Sequence, residues 1–259
     1  MTSPPSYPKP TNLLAGRTAL ITAAAGTGIG FATALRFAEE GAMLLISDIH
    51  PRRLAEAAEL IKEKTRQTPA TQLCDVTQED QVQALHAAAQ NTIGTPDILV
   101  NNAGLGGSAS VTEMTDAQWS RVLDVTLTSV FRMSRAFLPA MYERKSGVII
   151  NNASVLGWRA QAQQAHYAAA KAGVMAFTRC SAIEAAAHNV RINAVAPSIA
   201  MHEFLNRATT TELLTELTSR EAFNRAAEPW EVANVILFLA SDLSSYMTGE
   251  IVSVSSQRA

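Results

Sequence analysis

The stretch "LITAAAGTGIGFATALRFAEEGAMLLISD", Leu20 to Asp48, decides how this chain folds. An apolar run leads into small residues and three glycines, then a helical pattern, a second apolar run and an aspartate. Gly26, Gly28 and Gly30 free the backbone to turn tightly and to approach a ligand closely. The helix that follows offers unpaired N–H groups and a partial positive charge, which suit a pyrophosphate. Asp48 ends the second run 18 residues after Gly30, where a carboxylate can accept hydrogen bonds from an adenosine ribose. A glycine-rich turn alone is often a plain connection. Strand, turn, helix, strand and acid in this order point to a dinucleotide site.

Asp48 also bears on which dinucleotide binds. A 2′-phosphate at ~4 Å from its carboxylate, at an effective dielectric of ~20, meets a repulsion on the order of 4 kcal/mol. Ile49 follows instead of a basic residue, and Thr27 stands where an arginine could reach back. Arg52 and Arg53 come after Pro51 and read as a solvated helix face. NAD is expected in preference to NADP.

Outward from this unit the alternation continues. "TALIT" (18–22), "AMLLIS" (42–47), "TQLCDV" (71–76), "DILVNN" (97–102), "GVIINN" (147–152), "VRINAV" (190–195) and "EIVSVS" (250–255) read as strands. Most are apolar on both faces, as parallel strands covered by helices must be. Helical patterns occupy 29–40, 51–65, 78–93, 116–143, 164–188 and 229–241. Thr77 with Asp80, and Thr115 with Gln118, have capping-box spacing at helix starts. The expected fold class is α/β: a single-domain, Rossmann-type, doubly wound parallel sheet of about seven strands. The domain is expected over 16–259, after a proline-rich arm, 1–15, that is ordered only if it packs on something. The segment 198–228 breaks the alternation and reads as a lid insertion over a substrate site.

Composition agrees with an enzyme core. Of 259 residues, 47% are hydrophobic and 17% charged, enough to bury a sizeable interior. The net charge of −2, without a basic block, argues against nucleic acid and against anionic membranes as partners. No apolar run reaches the ~18 residues of a membrane helix, and "MTSPPSYPKPTNLL" lacks the pattern of a signal peptide, so a cytoplasmic protein is expected. Cys74 and Cys180 have no CxxC spacing and read as inert reduced thiols in the core, and the five histidines form no metal-ligand pattern.

The chemistry is carried by "SVLGWRAQAQQAHYAAAKAGV". Tyr167 and Lys171 lie four apart, on one face of a helix, and Ser154 lies 13 residues before the tyrosine at a strand end. An ammonium near a phenol favours phenolate and lowers a reference pKa of ~10. Tyr167 can then exchange a proton with a substrate oxygen that Ser154 holds, while hydride moves to or from a nicotinamide. Alone, the YxxxK spacing is equally an ordinary surface pair.

These residues resemble the short-chain dehydrogenase/reductase family, over about Arg17 to Val254. The resemblance rests on "AAAGTGIG", "CDVT", "NNAG" (101–104), Ser154 with "YAAAK", "INAVAPSIA" and "EPWEVANVILFLASDLSSYMTGE". It implies NAD(P)-dependent alcohol and ketone interconversion and a homotetramer, joined through helices 116–143 and 164–188 and the C-terminal strand. It also implies cofactor contacts from Ala24, Gly26, Thr27, Gly28, Ile29, Asp48, Asp75, Val76, Asn102, Ala103 and Gly104, from Tyr167 and Lys171, and from Pro197 to Ala200. Several positions depart from the family. Ala24 replaces the first loop glycine, with Gly26 able to supply the flexibility two residues on. Thr126, in "WSRVLDVTLTSVF", replaces the catalytic asparagine that holds a relay water, and a threonine hydroxyl can hold one too. Ser198 and His202 replace a glycine and a threonine, and "VSSQRA" lacks Asp-Gly-Gly. With these departures the chain resembles the dehydrogenases of bacterial steroid degradation, which oxidise a hydroxyl on a bicyclic C/D-ring acid carried as its CoA thioester.

On the substrate side, Trp158 either walls a fused-ring substrate or packs between subunits. Arg159 either pairs with a carboxylate or CoA phosphate or forms a surface ion pair, and Gln161 lies beside it. His166 is expected to turn away from Tyr167. His202 touches cofactor or substrate or neither, and Met201, Phe204 and Leu205 close over an apolar ligand or pack the lid. Two other functions fit the same residues: a 3-oxoacyl-CoA or acyl-carrier-protein reductase of fatty-acid type, and a cofactor-binding protein with little catalysis.

Overall fold

In the computed structural model, residues 3–201 and 211–256 are described. Strands β1 (Thr18–Thr22), β2 (Met43–Asp48), β3 (Ala70–Leu73), β4 (Ile98–Asn101), β5 (Gly147–Asn152), β6 (Val190–Pro197) and β7 (Ile251–Val254) form one sheet in the order β3-β2-β1-β4-β5-β6-β7. Every pairing is parallel. The order reverses between β1 and β4, so a crevice opens past their carboxyl ends, where α/β sheets bind ligands.

Both faces of the sheet are covered, which explains the unbroken apolar runs. Helices α1 (Ile29–Glu39), α2 (Pro51–Thr65) and α8 (Pro229–Ala240) pack on Ile21, Ile46, Val100 and Ile150. Helices α3 (Glu79–Thr92), α5 (Ser129–Arg144) and α6 (Ala165–Ala186) pack on Leu20, Leu45, Leu99 and Ile149. The alternation along β1 thus feeds two cores, with Phe37 central to one and Phe137 to the other. Emptying either site to Ala costs about 3–5 kcal/mol.

The structure corrects several sequence expectations. The helix expected over 116–143 is three pieces: α4 (Asp116–Leu123), a π turn (Asp124–Thr128) and α5. The wider turn sets Thr126 facing inward, fully buried, toward Leu105. A single inserted residue of this kind hardly disturbs a hydrophobic period. The capping box Thr115–Gln118 forms, but Thr77–Asp80 does not. The Thr77 hydroxyl donates to Asp75 Oδ1 at 2.7 Å instead, and α3 starts at Glu79 with Gln78 as its N-cap residue. The strand expected over 71–76 ends at Leu73, where Cys74 and Asp75 turn out over the crevice. Cys180 is exposed on α6, not in the core; Cys74 is buried, which pushes its thiol up to about 12, with Asp75 and Asp80 adding to the shift.

The chain before β1 lies against α1 and α8. Tyr7 donates to Glu39 at 2.6 Å, its ring meets Trp230 edge-on, and the Arg36 guanidinium lies over it. The backbone N–H groups of Thr11 and Leu13 donate to Glu40, which also holds Arg36 at 2.8 Å. Arg36 and Glu40 are buried, at 3% and 1% exposure.

Candidate active site

The first βα turn is shaped by close approach. Gly26 takes φ +82°, which a side chain disfavours, and supplies the left-handed step expected of it. A Cβ at Gly30 would lie 2.2 Å from the Ala23 carbonyl oxygen and 2.4 Å from Asn102 Nδ2, so only glycine fits. Ala24, at the departed position, is fully buried against the core. Asn102 pins the turn from β4 by donating to the carbonyls of Thr22 and Ala23. Helix α1 starts at Ile29 with no side-chain cap on Gly28 and no acid in its first turn. Its N–H groups are left for an anionic ligand.

Beyond this turn runs a cleft of about 1010 Å³, lined by Asp48, Asp75, Val76, Ala103 and Gly104 among others. Asp48 accepts from the backbone of Ala25 at 3.2 Å and of His50 at 3.0 Å, which fixes its carboxylate toward the cleft. Burial raises its pKa, while those backbone donors and the charge of Arg53 oppose the rise. Arg53 is therefore no bystander on a solvated face: it is partly buried and lines the cleft beside Asp48. Its position in the first turn of α2, directly after Pro51, was the available signal, since helix starts at this sheet edge face the crevice. A glycine turn tight against its neighbours, an uncapped helix start and a carboxylate at the second strand end fit a dinucleotide.

The catalytic candidates meet at the ends of β5 and α6. Ser154 follows β5, is 8% exposed and accepts from the Leu156 N–H at 3.2 Å. Tyr167 is hydrogen-bonded to Ser154. Lys171, buried at 2% exposure, donates to the Asn152 carbonyl oxygen, with Nζ 5.5 Å from the centre of the Tyr167 ring. Asn152 in turn donates to Asn102 Oδ1 at 2.9 Å, so lysine and cofactor turn are joined by an unbroken chain of hydrogen bonds. Asn152 was not singled out in the sequence.

The electrostatics differ from the expectation that Lys171 lowers the tyrosine pKa. Burial pushes Tyr167 up to about 12, with the Ser154 hydrogen bond pulling the other way, and burial pushes Lys171 down to about 7. Low-dielectric surroundings penalise both charged forms, and sequence spacing carries no information on them. At neutral pH Tyr167 is a phenol, ready to donate.

Thr126 does not face this pair with a free hydroxyl. It accepts from the Leu105 N–H and donates to the Leu105 carbonyl, clamping the loop after β4. One acceptor lone pair remains. His166 is buried, packs beneath Gly107 and does not line the pocket.

Ser154 and Tyr167 open on a pocket of about 330 Å³ lined by Ile29, Asn152, Arg159, Gln161, Pro197 to Ala200, Leu217 and Arg220. Arg159 and Gln161 thus reach the site; Trp158, about half exposed, does not line it. His202, with Phe204 and Leu205, lies outside the described residues. The 198–228 excursion contains α7 (Thr211–Ser219), and its two ends are stitched together by Ala227 N–H to Ile199 and Met201 N–H to Ala227, both 2.9 Å. Leu217 and Arg220 were missed because only the tertiary return of this segment brings them to the pocket. Among the described residues no cluster of metal-ligating side chains occurs, and no helix is long and apolar enough to cross a membrane.

Comparison with known proteins places this geometry. A family model described as enoyl-(acyl carrier protein) reductase matches residues 23–256. The chain is 59% identical over 246 residues to a (5R,7aS)-5-hydroxy-7a-methyl-1-oxo-2,3,5,6,7,7a-hexahydro-1H-indene-carboxyl-CoA reductase of Mycobacterium tuberculosis, covering 95% of this chain and 94% of that protein. It is 38% identical to the 3-oxoacyl-[acyl-carrier-protein] reductase FabG of Thermotoga maritima, over 93% of this chain and 97% of that one. A crystal structure of a short chain dehydrogenase from Mycobacterium smegmatis superposes with a TM-score of 0.88 at 54% identity, covering 99% of both chains.

Proposed function

The chain belongs to the short-chain dehydrogenase/reductase family, oxidoreductases that use a nicotinamide cofactor, and from that premise we propose that it interconverts a secondary alcohol and a ketone on a bicyclic, steroid-derived acyl-CoA, with NAD as cofactor. The observation that carries the reading is the Ser154–Tyr167–Lys171 cluster at the mouth of a 330 Å³ pocket. High identity to a reductase of a hydroindene-carboxyl-CoA supports the substrate class. Asp48, aimed into the nucleotide cleft, supports NAD by repelling a 2′-phosphate.

When bound, the nicotinamide ring takes or gives the hydride. The chain's residues do the rest. The α1 N-terminus and the Gly26–Ile29 turn would hold the pyrophosphate, Asp48 would take the adenosine ribose, and Asp75 and Val76 would flank the base. Asn102 to Gly104 would line the middle of the cofactor and Pro197 to Ala200 would support its reactive end. Ser154 donates to the reacting oxygen and Tyr167 gives it a proton in reduction or removes one in oxidation. Lys171, when charged, stabilises the phenolate left behind and would hold the nicotinamide ribose. Thr126 positions the Gly104–Leu105 backbone that borders the lysine. Gln161 and Arg159 meet the substrate.

Residues 16–259 form the catalytic domain in this reading, with 1–15 as an arm and 198–228 as the substrate-covering insertion. The cytoplasmic protein is a homotetramer; exposed Trp119 on α4, Phe131 on α5, Ile183 on α6, Phe238 on α8, and Leu243 and Tyr246 after α8 support apolar contact between subunits.

The test is NAD-linked turnover of a bicyclic hydroxy-acyl-CoA, compared with acetoacetyl-CoA and with NADP. Preference for the ring thioester and NAD is the expected result. Turnover of acetoacetyl-CoA in preference to the ring compound would favour the fatty-acid-type reductase instead, in line with the similarity to the Thermotoga maritima enzyme.

A further inference from the structure

We infer that Arg220 and Arg159 form an anionic subsite at the pocket mouth that binds the phosphates of a coenzyme A handle, with Glu216 holding Arg220 until a phosphate replaces it. This rests on the thioester reading above. Arg159 comes from the segment after β5 and Arg220 from the end of α7, so the two approach the pocket from different walls. Among the described residues, Arg159 and Arg220 are the charged side chains that line this pocket.

Volume directs the handle outward. The pocket of about 330 Å³ must take the reacting ring beside the nicotinamide, which already uses the lower end of the roughly 300–1,000 Å³ of small-molecule sites. A phosphate-bearing handle has to leave through the mouth. There Arg220 is about half exposed, paired with Glu216 one helical turn earlier. Exposed pairs of this spacing are weak and easily exchanged. A phosphate monoester matches the bidentate geometry of a carboxylate and adds a second negative charge, and a pyrophosphate spreads two charges over neighbouring phosphates.

The backbone that carries Arg220 is fixed. The next residue, Glu221, is buried at 2% exposure and accepts from the Ser256 N–H at 3.0 Å and hydroxyl at 2.8 Å. Ala222 N–H donates to the Ser256 carbonyl at 2.8 Å. Arg220 therefore projects from a strut tied to the end of the sheet, while its side chain keeps its freedom.

The test is calorimetric binding of free coenzyme A and of pantetheine to the holoenzyme with NAD, for the wild type, Arg220→Gln and Glu216→Gln. Arg220→Gln is expected to weaken coenzyme A about five- to tenfold relative to pantetheine, and added salt to erode the wild-type preference. Glu216→Gln is expected to tighten coenzyme A. Equal coenzyme A affinity in wild type and Arg220→Gln, equal losses for both ligands, or no coenzyme A binding to the wild type overturns the subsite. Discriminated coenzyme A binding without turnover of the ring thioester counts against the substrate reading and leaves the subsite standing.

Discussion

The Thr126 hydroxyl grips both polar backbone atoms of Leu105, accepting from its N–H at 3.0 Å and donating to its carbonyl at 3.2 Å. This clamp fixes the loop that runs from Gly104, beside Lys171, toward the substrate side. Thr126→Val keeps the shape and removes the clamp. It is expected to lower kcat about tenfold and to leave cofactor affinity nearly unchanged, whereas Thr126→Ser restores the rate. Steady-state kinetics with fluorescence titration of NADH checks both.

Tyr167→Phe deletes the proton donor and little else. Turnover should fall by about 10²–10⁴-fold while NADH binding persists. A Phe variant with wild-type rate would remove Tyr167 from the chemistry.

Tyr167 and Lys171 set a pH dependence whose sign follows from their shifts. With Tyr167 pushed up to about 12, the phenol needed for carbonyl reduction is present throughout the neutral range. With Lys171 pushed down to about 7, its ammonium is present below that pH and lost above it. Reduction should therefore decline as pH rises through about 7. Oxidation needs the deprotonated phenol and should rise with pH. Lys171→Met is expected to flatten the reduction profile, measured as kcat/KM from pH 5.5 to about 9.5.

Nucleotide choice should turn on Asp48 and Arg53 together. Asp48→Ala removes the charge facing a 2′-phosphate and leaves Arg53 beside it. The NADP to NAD ratio of kcat/KM should rise at least about tenfold. Adding Arg53→Ala should take back most of that gain.

Arg36 and Glu40 test the clasp on the N-terminal arm. Arg36→Met leaves the buried Glu40 carboxylate with no cation, only the N–H groups of Thr11 and Leu13 and the Thr11 hydroxyl, and should cost about 3–5 kcal/mol in urea titration. Burial raises the Glu40 pKa, but the N–H groups of Leu13 and Thr11 and the Arg36 charge bring it below its ordinary value. The pair's contribution is thus full above the ordinary glutamate value and lost as acid protonates Glu40. Glu40→Leu in the Arg36→Met background should recover part of the loss.

Local spacing explains what could be read from the sequence. Tyr167 and Lys171 share a helix face because of a four-residue step, and Asp48 ends a strand that begins with an apolar run; both are properties of a short segment. Arg220 and Leu217 line the pocket that Tyr167 opens on only because Ile199 and Ala227 close the base of a long excursion. The expected tyrosine shift failed for the same reason: a neighbouring lysine is visible in a sequence, but the desolvation of both groups is a property of the packed interior. The π turn at Asp124–Thr128 leaves the apolar rhythm of its helix almost intact, so a continuous helix was the natural reading.

Asp48, Asn102, Ser154, Pro197 and Arg220 are drawn from the ends of β2, β4, β5 and β6 and the excursion beyond them, so the cleft and the adjoining pocket are complete together only when nearly the whole chain has docked. Long-range parallel pairing of this kind assembles slowly and leaves strand edges open in the meantime. Dinucleotide added during refolding can capture only finished molecules, and should raise the recovered yield without hastening the early steps.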